Sequence, residues 1–262
     1  MNRLQTAQSY WDYLKIASKY TSCDPLDFNE AIAFFEPYAV GLFPAFPVLV
    51  FLLDFTQKQY LFMSRSSRLV LGYPAEYVMD GGLEFICRQY KPEDFRVYSE
   101  KIFVQNLHTL KQRPSADHPR LLFGYNYRFL NEKGEYRTLM QKSVMLRSAP
   151  DGSPITMLSF AFDITDYKSD SKIIHTVDAI SDQGIIPLAK DFYFPHPQDA
   201  ILSKREVEVL KWICDGLSSI EIADKLHLSI HTVNNHRKNM LQKTNCKNVT
   251  ELLAFSVKEG LI

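Results

Sequence analysis

The sequence predicts an α+β protein in two parts, an antiparallel sheet with helices followed by an all-helical last quarter. Between residues 48 and 162, apolar residues alternate or form short continuous runs, as in strands. From residue 202 onward the apolar spacing becomes helical, and capping residues mark the helix starts. The 262 residues suffice for two modest domains, each with its own core.

Residues 1–36 are predicted to be helical. Apolar side chains from Leu4 to Leu14 recur at helical spacing, and Asp24-Pro25 is a good start for a second helix that ends near Phe35. We favour a lid packed on the next domain over a partner-binding helix.

The uncharged run from Pro37 to Leu53 has to be weighed as a membrane span. It would be about 26 Å long as a helix, shorter than the ~30 Å hydrocarbon core. It also contains three prolines and a glycine. A loop followed by a buried strand from Val48 is the better interpretation. The N-terminus lacks the layout of a signal peptide, so we expect a cytoplasmic protein with no membrane partner.

Residues 48–162 are predicted to form five strands, with helices between the second and the third. A short helix over Ser64–Val70 and a longer one from Lys91-Pro92-Glu93-Asp94 to about Gln112 lie between them. Asp151-Gly152 is a tight-turn signal. The predicted strands are Val48–Leu53, Tyr60–Met63, Gly124–Leu130, Tyr136–Arg147 and Ile155–Phe162.

This order of elements and its punctuation resemble a PAS sensory domain over residues 37–168. The resemblance implies a five-stranded antiparallel sheet with helices over one face, forming a pocket. Lys91 stands where the family often has His. The similar pieces are Leu71-Gly72-Tyr73-Pro74, the Lys91 to Asp94 helix start, Tyr127-Arg128 with Gly134-Glu135-Tyr136-Arg137, Asp151-Gly152-Ser153-Pro154, and Asp163-Ile164-Thr165.

Residues 169–200 are predicted to connect the two parts. Ile173, Val177 and Ile180 recur at a coiled-coil-like spacing, which favours a linker helix over residues 166–181. A signalling helix at a dimer interface and a segment packed on the sheet of its own chain fit equally well. Residues 182–200 hold three prolines among apolar residues, so we expect this connector to lie against one of the domains.

The last 62 residues, 201–262, predict four helices from capping chemistry. Ser203, Ser218 and Asn248 are each followed three residues later by Glu, as in a capping box. Ser229 is the fourth N-cap candidate, and Gly216 stands where the first helix must stop. Only Leu228 and Ser229 separate the second helix from the third, as a helix-turn-helix requires.

The charge pattern of the third predicted helix favours nucleic acid as the partner. No acidic residue occurs between Asp224 and Glu251, while Lys, Arg, His and Asn side chains are frequent there. Such a face suits phosphates and base edges. We expect Asn234, Asn235 and Lys238 to contact bases, and Ser229, His231, Thr232, Arg237 and Lys243 to contact phosphates.

These residues resemble the DNA-binding domain of the LuxR/GerE family of bacterial transcription regulators. The resemblance implies a four-helix domain whose third helix enters the major groove, usually as a dimer. Asn234 departs from the family, which commonly has Lys after the Thr-Val pair. The matching pieces are Leu202–Leu210, Gly216-Leu217-Ser218, Glu221-Ile222-Ala223, Leu228-Ser229, Thr232-Val233, His236, Lys243 and Gly260-Leu261-Ile262.

The sequence offers no support for catalysis or for a cofactor. It lacks a nucleophile elbow, a phosphate-binding glycine loop and zinc-ligand spacing, and the four cysteines are most simply reduced thiols. The signature of flavin-binding light sensors is missing. A haem would need an axial ligand such as His108 or His118, but a lone histidine is more often a surface or core residue. An apolar small molecule, or the protein's own side chains, fits the pocket better.

The sequence therefore predicts a one-component transcription regulator that binds double-stranded DNA, as a homodimer, through a sensor-controlled helix-turn-helix. RNA polymerase is a candidate further partner. The alternative is a signalling adaptor whose PAS domain binds a protein and whose C-terminal helices serve for association. Asn234 and the zero net charge favour this alternative slightly.

Overall fold

A computed structural model describes residues 7–20, 47–195, 202–259 and 261. The chain forms two compact units, Met1–Tyr193 and Phe194–Ile262. The predicted second helix near Asp24 and the closing Gly260 and Ile262 lie outside the described residues. Within the described ranges, no helix has the length and apolar character needed to cross a membrane.

The first unit is built on one antiparallel sheet of seven strands in the order β2-β1-β5-β4-β3-β6-β7. The five strands predicted from the sequence are confirmed as β1 to β5. The strands are β1 Val48–Asp54, β2 Gln59–Met63, β3 Leu121–Leu130, β4 Tyr136–Ser148, β5 Pro154–Asp163, β6 Ile173–Ser181 and β7 Gly184–Tyr193.

The helices of this unit lie mainly between β2 and β3, as predicted. They are α1 Tyr10–Ala17, α2 Ser67–Val70, α3 Ala75–Gln89, α4 Pro92–Val97 and α5 Phe103–Lys111, and a π-helical turn, Tyr98–Ile102, joins the last two. The long helix predicted from Lys91 to Gln112 is thus confirmed, but the sequence did not predict its π turn. Such turns occur often at functional sites.

A buried ion pair joins the start of α4 to the sheet. The carboxylate of Asp94 is 1% exposed and accepts hydrogen bonds from the Arg128 backbone N–H at 2.8 Å and from Arg128 Nε at 2.9 Å. One acidic side chain therefore fixes the helix start and the middle of β3 together.

The linker helix predicted over residues 166–181 is wrong, because Ile173–Ser181 form β6 and no α-helix occurs over residues 166–172. Ile173, His175 and Val177 are buried at a spacing of two, and β6 pairs with both β3 and β7. Ile173 and Val177 are four residues apart, and that spacing fits both a helix and a strand. The segment forms a strand, since β-branched residues dominate it and Gly184 closes a hairpin at φ +118°.

The implied five-stranded sheet therefore gains two strands. The predicted connector after residue 182 also belongs largely to the sheet, as β7. Of the two interpretations of this region, packing on the sheet of its own chain is the one that the structure supports.

Polar side chains of α5 attach the β6–β7 hairpin to the helical layer. His175 is fully buried, and its Nε2 lies at hydrogen-bond distance, 2.8 Å, from Asn106 Oδ1. Gln105 donates to Asp191 at 2.7 Å and accepts from the Tyr193 hydroxyl at 2.8 Å. The Nδ1 of His175 faces the Asp191 carboxylate at 3.6 Å without a hydrogen bond.

The second unit is a bundle of four short helices: α6 Lys204–Cys214, α7 Ser219–Leu226, α8 Ile230–Thr244 and α9 Val249–Glu259. Its core contains the fully buried side chains of Val209, Leu210, Ile222, Val233 and Met240. Gly216 follows α6 with φ +83°, so the predicted stop is confirmed.

We predict that acid destabilises the first unit through His175. Burial lowers the pKa of His175 from 6.5, and the nearby Asp191 offsets this only in part. The unfolded chain therefore binds the proton first, and the free energy of unfolding should decline as the pH falls below about 6.5, by at most ~1.4 kcal/mol per pH unit. Urea melts followed by circular dichroism at several pH values measure this.

His175→Gln should flatten that pH dependence, whereas His108→Gln, at an exposed histidine of α5, should leave it unchanged. An equal slope in both variants would show that the buried imidazole is not the titrating group.

Candidate nucleic-acid interface and sensory cavity

The start of α6 is fixed by a complete capping box. Glu206 N–H donates to Ser203 Oγ at 3.3 Å, and the Glu206 carboxylate accepts from the Ser203 N–H at 2.7 Å. Ser218 and Glu221 form the same reciprocal pair at the start of α7. Two of the three predicted capping boxes are thus confirmed, and they fix where α6 and α7 begin.

The turn between α7 and α8 is short and built around a left-handed residue. His227 ends α7 with φ 51° and ψ 46°, and the Leu228 N–H donates to the Ala223 carbonyl at 2.9 Å. Ser229 then caps α8 by accepting from the Thr232 N–H at 3.0 Å. The chain thereby reverses within three residues, which sets α8 across α7 as a helix-turn-helix requires.

Helix α8 has one buried face and one exposed face. Val233 and Met240 are fully buried in the core of the unit. The opposite face carries exposed polar side chains at helical spacing, and we call it the amide-rich face. Its members are His231, Asn234, Asn235, Lys238 and Gln242.

The N-terminal end of α8 is also open to a partner. Ser229 and His231 are exposed, Thr232 is half-buried, and the first turn holds no acidic residue. The positive end of the helix dipole is therefore not neutralised by its own sequence. This end of α8 can therefore bind an anion, and the amide-rich face beside it can hydrogen-bond to acceptors of a partner.

Two of the predicted phosphate contacts lie within networks of the unit itself. Arg237 is half-buried, and its guanidinium lies 3.4 Å from Ser219 Oγ at the start of α7. Lys243 Nζ donates to both carboxylate oxygens of Glu206, at 2.7 and 2.9 Å. The sequence interpretation did not find this pair, since 37 positions separate its partners.

The pKa of Glu206 reflects this environment. Burial alone would raise it, but the ammonium of Lys243 and the hydrogen bonds to Ser203 outweigh burial and lower it. The carboxylate stays charged at neutral pH, so it can hold both the start of α6 and the last turn of α8. We therefore infer a structural role for Lys243.

The third predicted capping box, at Asn248, forms in a modified way. Asn248 Oδ1 accepts from the Glu251 N–H at 2.9 Å, but the Glu251 carboxylate accepts from the Lys247 N–H, one residue before the position that a capping box uses. The start of α9 is satisfied on both sides nonetheless.

The first unit has a small cavity of about 40 Å³, partly open to the surface, between its sheet and its helices. Aromatic side chains fill most of the space around it. Tyr90 and Tyr127 stack with ring centres 4.3 Å apart, and Tyr98 of the π turn stacks on Tyr125 at 4.9 Å. A volume of this size holds a few waters at most, so a larger ligand would have to displace side chains.

The lining of the cavity is mostly apolar, and its polar groups are neutral. The Tyr90 and Tyr125 hydroxyls lie 2.7 Å apart, and Tyr127 donates to Gln141 at 3.3 Å. Burial raises the pKa of each of these tyrosines, and it raises the pKa of the Cys87 thiol to about 12. The described lining residues include no Asp, Glu, Lys, Arg or His.

Neither histidine considered as a haem ligand lines this cavity. His118 is fully buried, with Nδ1 2.7 Å from Ser148 Oγ and Nε2 2.9 Å from the Leu110 carbonyl, so its nitrogens are engaged in holding a loop. His108 is exposed beside Gln112. Among the described residues no cluster of His, Cys, Asp and Glu is arranged to hold a metal ion.

The geometry of α7 and α8 defines the second unit as a helix-turn-helix domain. Residues 200–256 match the family described as "Bacterial regulatory proteins, luxR family". This unit is therefore a LuxR-family helical domain, and the first unit is an antiparallel sheet with helices.

Curated relatives match part of the chain. Oxygen regulatory protein NreC of Staphylococcus carnosus is 31% identical over 122 residues, which are 46% of this chain and 54% of that protein. Regulatory protein SdiA of Escherichia coli is 47% identical over 60 residues, 23% of this chain and 25% of that protein. The chain thus spans about half the length of the first relative and a quarter of the second.

A solved structure with a similar layout is that of a phage VqmA protein in a VqmA–DPO complex. It is 15% identical, and the match covers 89% of this chain and 91% of that chain with a TM-score of 0.41. Likeness at that level carries no inference about function.

We predict that Val233→Asp unfolds the second unit. The side chain is fully buried, so a carboxylate there would be desolvated and unpaired, at a cost of about 3 kcal/mol or more. A thermal melt followed by Trp212 fluorescence in a Trp11→Phe background reports on this unit alone.

Ile230→Asp is the matched control, because Ile230 is 46% exposed on the same helix. It should shift the melting temperature little. A normal melt for Val233→Asp would contradict the assignment of this face of α8 to the core.

Proposed function

We propose that the chain is a bacterial one-component transcription regulator that binds double-stranded DNA by laying α8 in the major groove. The observation that carries this proposal is the amide-rich face: five polar side chains lie exposed along the second helix of a helix-turn-helix, opposite a fully buried apolar face. The match of residues 200–256 to the LuxR family supports it.

Asn234, Asn235 and Lys238 are the proposed base contacts. All three are exposed, and they lie within one turn of α8. An Asn side chain can give two hydrogen bonds to adenine in the major groove, worth ~1–3 kcal/mol of discrimination, and Lys can donate to guanine. With two amides side by side, we expect a site in which adenine is prominent.

Ser229, His231, Thr232 and Arg237 are the proposed phosphate contacts. The first three surround the N-terminal end of α8, where backbone N–H groups and the helix dipole favour anions. Arg237 lies beside the start of α7, from where its guanidinium can turn outward. Lys243 is left out of this set because Glu206 neutralises it.

The charge distribution of the chain limits its long-range attraction to DNA. The whole chain carries 30 basic and 30 acidic residues, so attraction to a polyanion arises locally, from the interval between Asp224 and Glu251 that holds no acid. Binding should therefore depend on few ion contacts, and its salt dependence should be modest.

The first unit is proposed to be the sensor. Its tyrosine-lined cavity contains hydrogen-bonding groups that burial keeps neutral, which fits an uncharged small molecule or regulation by the packing of its own side chains. We propose no cofactor, no metal and no enzymatic activity. Two copies would read the two halves of one site in the cytoplasm, with RNA polymerase as a candidate partner.

A signalling adaptor is the second candidate function. One observation favours it: Asn234 occupies a position where the LuxR resemblance has Lys, which removes a phosphate attraction. Gel shifts with random genomic fragments at two salt concentrations separate the candidates, since an adaptor would retard no duplex at either one.

We predict that Lys238→Ala weakens duplex binding by removing one ammonium from the groove. The slope of log K against log salt should become shallower by about 0.9, the contribution of one ion contact. Fluorescence anisotropy with a labelled genomic duplex across a salt series measures both quantities.

Lys211→Ala is the matched control, because Lys211 is exposed on α6, away from the amide-rich face. It should leave affinity and slope nearly unchanged. Equal effects of the two substitutions would indicate non-specific attraction and count against the placement of α8 in the groove.

A further inference from the structure

A groove with room for a small molecule lies between α1 and the bend of α3, and we call it the outer groove. Its apolar lining comes from Trp11 and Leu14 of α1, Leu83 and Cys87 of α3, and Phe95 of α4. Its volume is about 640 Å³, within the roughly 300–1,000 Å³ that is usual for ligand pockets. The tyrosine-lined cavity has only about 40 Å³. Of these two spaces, the outer groove is the one that can hold a ligand without displacing side chains.

The bend of α3 depends on an unusual backbone conformation at Gly82. Its φ is +60° and its ψ is −158°, a combination almost confined to glycine. A methyl group on Gly82 would meet only the Lys58 carbonyl oxygen, at 4.0 Å, so the glycine is required by the backbone and not by a lack of room. Gly81 and Gly82 line the outer groove and have no side chains to fill it. Backbone strain of this kind is concentrated at ligand sites and other functional sites.

The outer groove and the tyrosine-lined cavity have a common wall. Leu83, Cys87 and Phe95 line both spaces. Leu83 is buried, and Cys87 and Phe95 are half-buried. Trp11 lines the outer groove alone, is 41% exposed, and has its ring centre 5.8 Å from that of Phe95. A ligand in the outer groove would therefore contact the wall of the cavity while resting on an exposed indole.

The rim of the outer groove carries one unpaired cation among the described residues. Its charged side chains are Lys58, Glu84 and Arg88. Glu84 and Arg88 form an ion pair one helical turn apart. Lys58, in the β1–β2 turn, is exposed and has no acidic partner within the described ranges. An apolar floor with one free ammonium at its edge matches a ligand that has an apolar body and one negative charge.

We propose that the outer groove binds a small amphipathic anion, with its apolar body along Trp11 and Leu83 and its anionic group beside Lys58. This site is additional to the tyrosine-lined cavity, whose neutral groups fit an uncharged molecule. Its occupant acts on the first unit through the common wall. Binding is measured on the free protein, so its failure is separate from a failure of DNA binding.

The first test compares three octyl ligands with an anionic, a neutral and a cationic head group: octanoate, octanamide and octylammonium. Trp212→Phe leaves Trp11 as the single tryptophan of the chain, at the outer groove. Titration of this full-length variant should give a saturable change in Trp11 fluorescence with octanoate. Octanamide should bind about fivefold more weakly, the effect of one exposed ion pair, and octylammonium more weakly still.

Lys58→Gln in the same background should weaken octanoate to the level of octanamide and leave octanamide unchanged, because it removes only the contact with the head group. Lys133→Gln is the matched control, since Lys133 is an exposed lysine in the turn between β3 and β4. It should change neither affinity. Circular dichroism melts verify folding, and if Lys58→Gln does not fold, the comparison of the three head groups decides the question by itself.

The second test locates the ligand by protection of a thiol. Octanoate should slow the alkylation of Cys87 by iodoacetamide severalfold, because Cys87 lines the outer groove. Cys214 is exposed in the second unit and reports any general effect on the reagent in the same sample. Peptide mass spectrometry measures both rates on the wild-type chain.

The proposal is overturned if octanoate produces no saturable change in Trp11 fluorescence, or if octanoate and octanamide bind with equal affinity. Equal weakening of octanoate by Lys58→Gln and Lys133→Gln would likewise reject the role of Lys58. Protection of Cys87 no greater than that of Cys214 would place octanoate elsewhere on the chain and reject the site.

Discussion

The placement of α8 depends on one buried carboxylate. Glu206 closes the capping box at the start of α6 and also binds the ammonium of Lys243 in the last turn of α8. A buried charge is tolerated only when its partners satisfy it, so the two helices are tied at a single point that allows little variation. With one face of α8 fixed against the core, the opposite face is left exposed.

The polar groups around the cavity of the first unit are neutral. Tyr90, Tyr98, Tyr125 and Tyr127 bury their rings in stacked pairs, and burial raises the pKa of each phenol. The cavity thus combines dense aromatic packing with hydroxyl groups that can reorganise their hydrogen bonds without any change in charge. A π-helical turn places Tyr98 in this group, so the wall of the cavity includes an irregular part of the backbone.

The β6–β7 hairpin is attached to α5 through polar side chains. Its contacts to α5 run through His175, Asp191 and Tyr193, and the last of these directly precedes the second unit in sequence. The π turn, which contributes Tyr98 to the cavity wall, directly precedes α5. Hydrogen bonds of defined geometry therefore connect the hairpin to the helix that follows the π turn of the cavity wall.

The sequence by itself determined the elements whose causes are local. Ser203, Ser218 and Ser229 mark helix starts because a capping side chain acts within three residues, and the alternation of Tyr125, Tyr127 and Phe129 marks an inward strand face. The tertiary structure decided between a helix and a strand where the spacing of the apolar residues allows both. Ile173 and Val177 fit a helix and a strand equally, and pairing with both β3 and β7 holds the segment as a strand. The sequence also could not distinguish a lysine that is free to bind a phosphate from one that is paired within the unit. The partner of Lys243 lies 37 positions away, and the local sequence pattern does not indicate a contact at that distance.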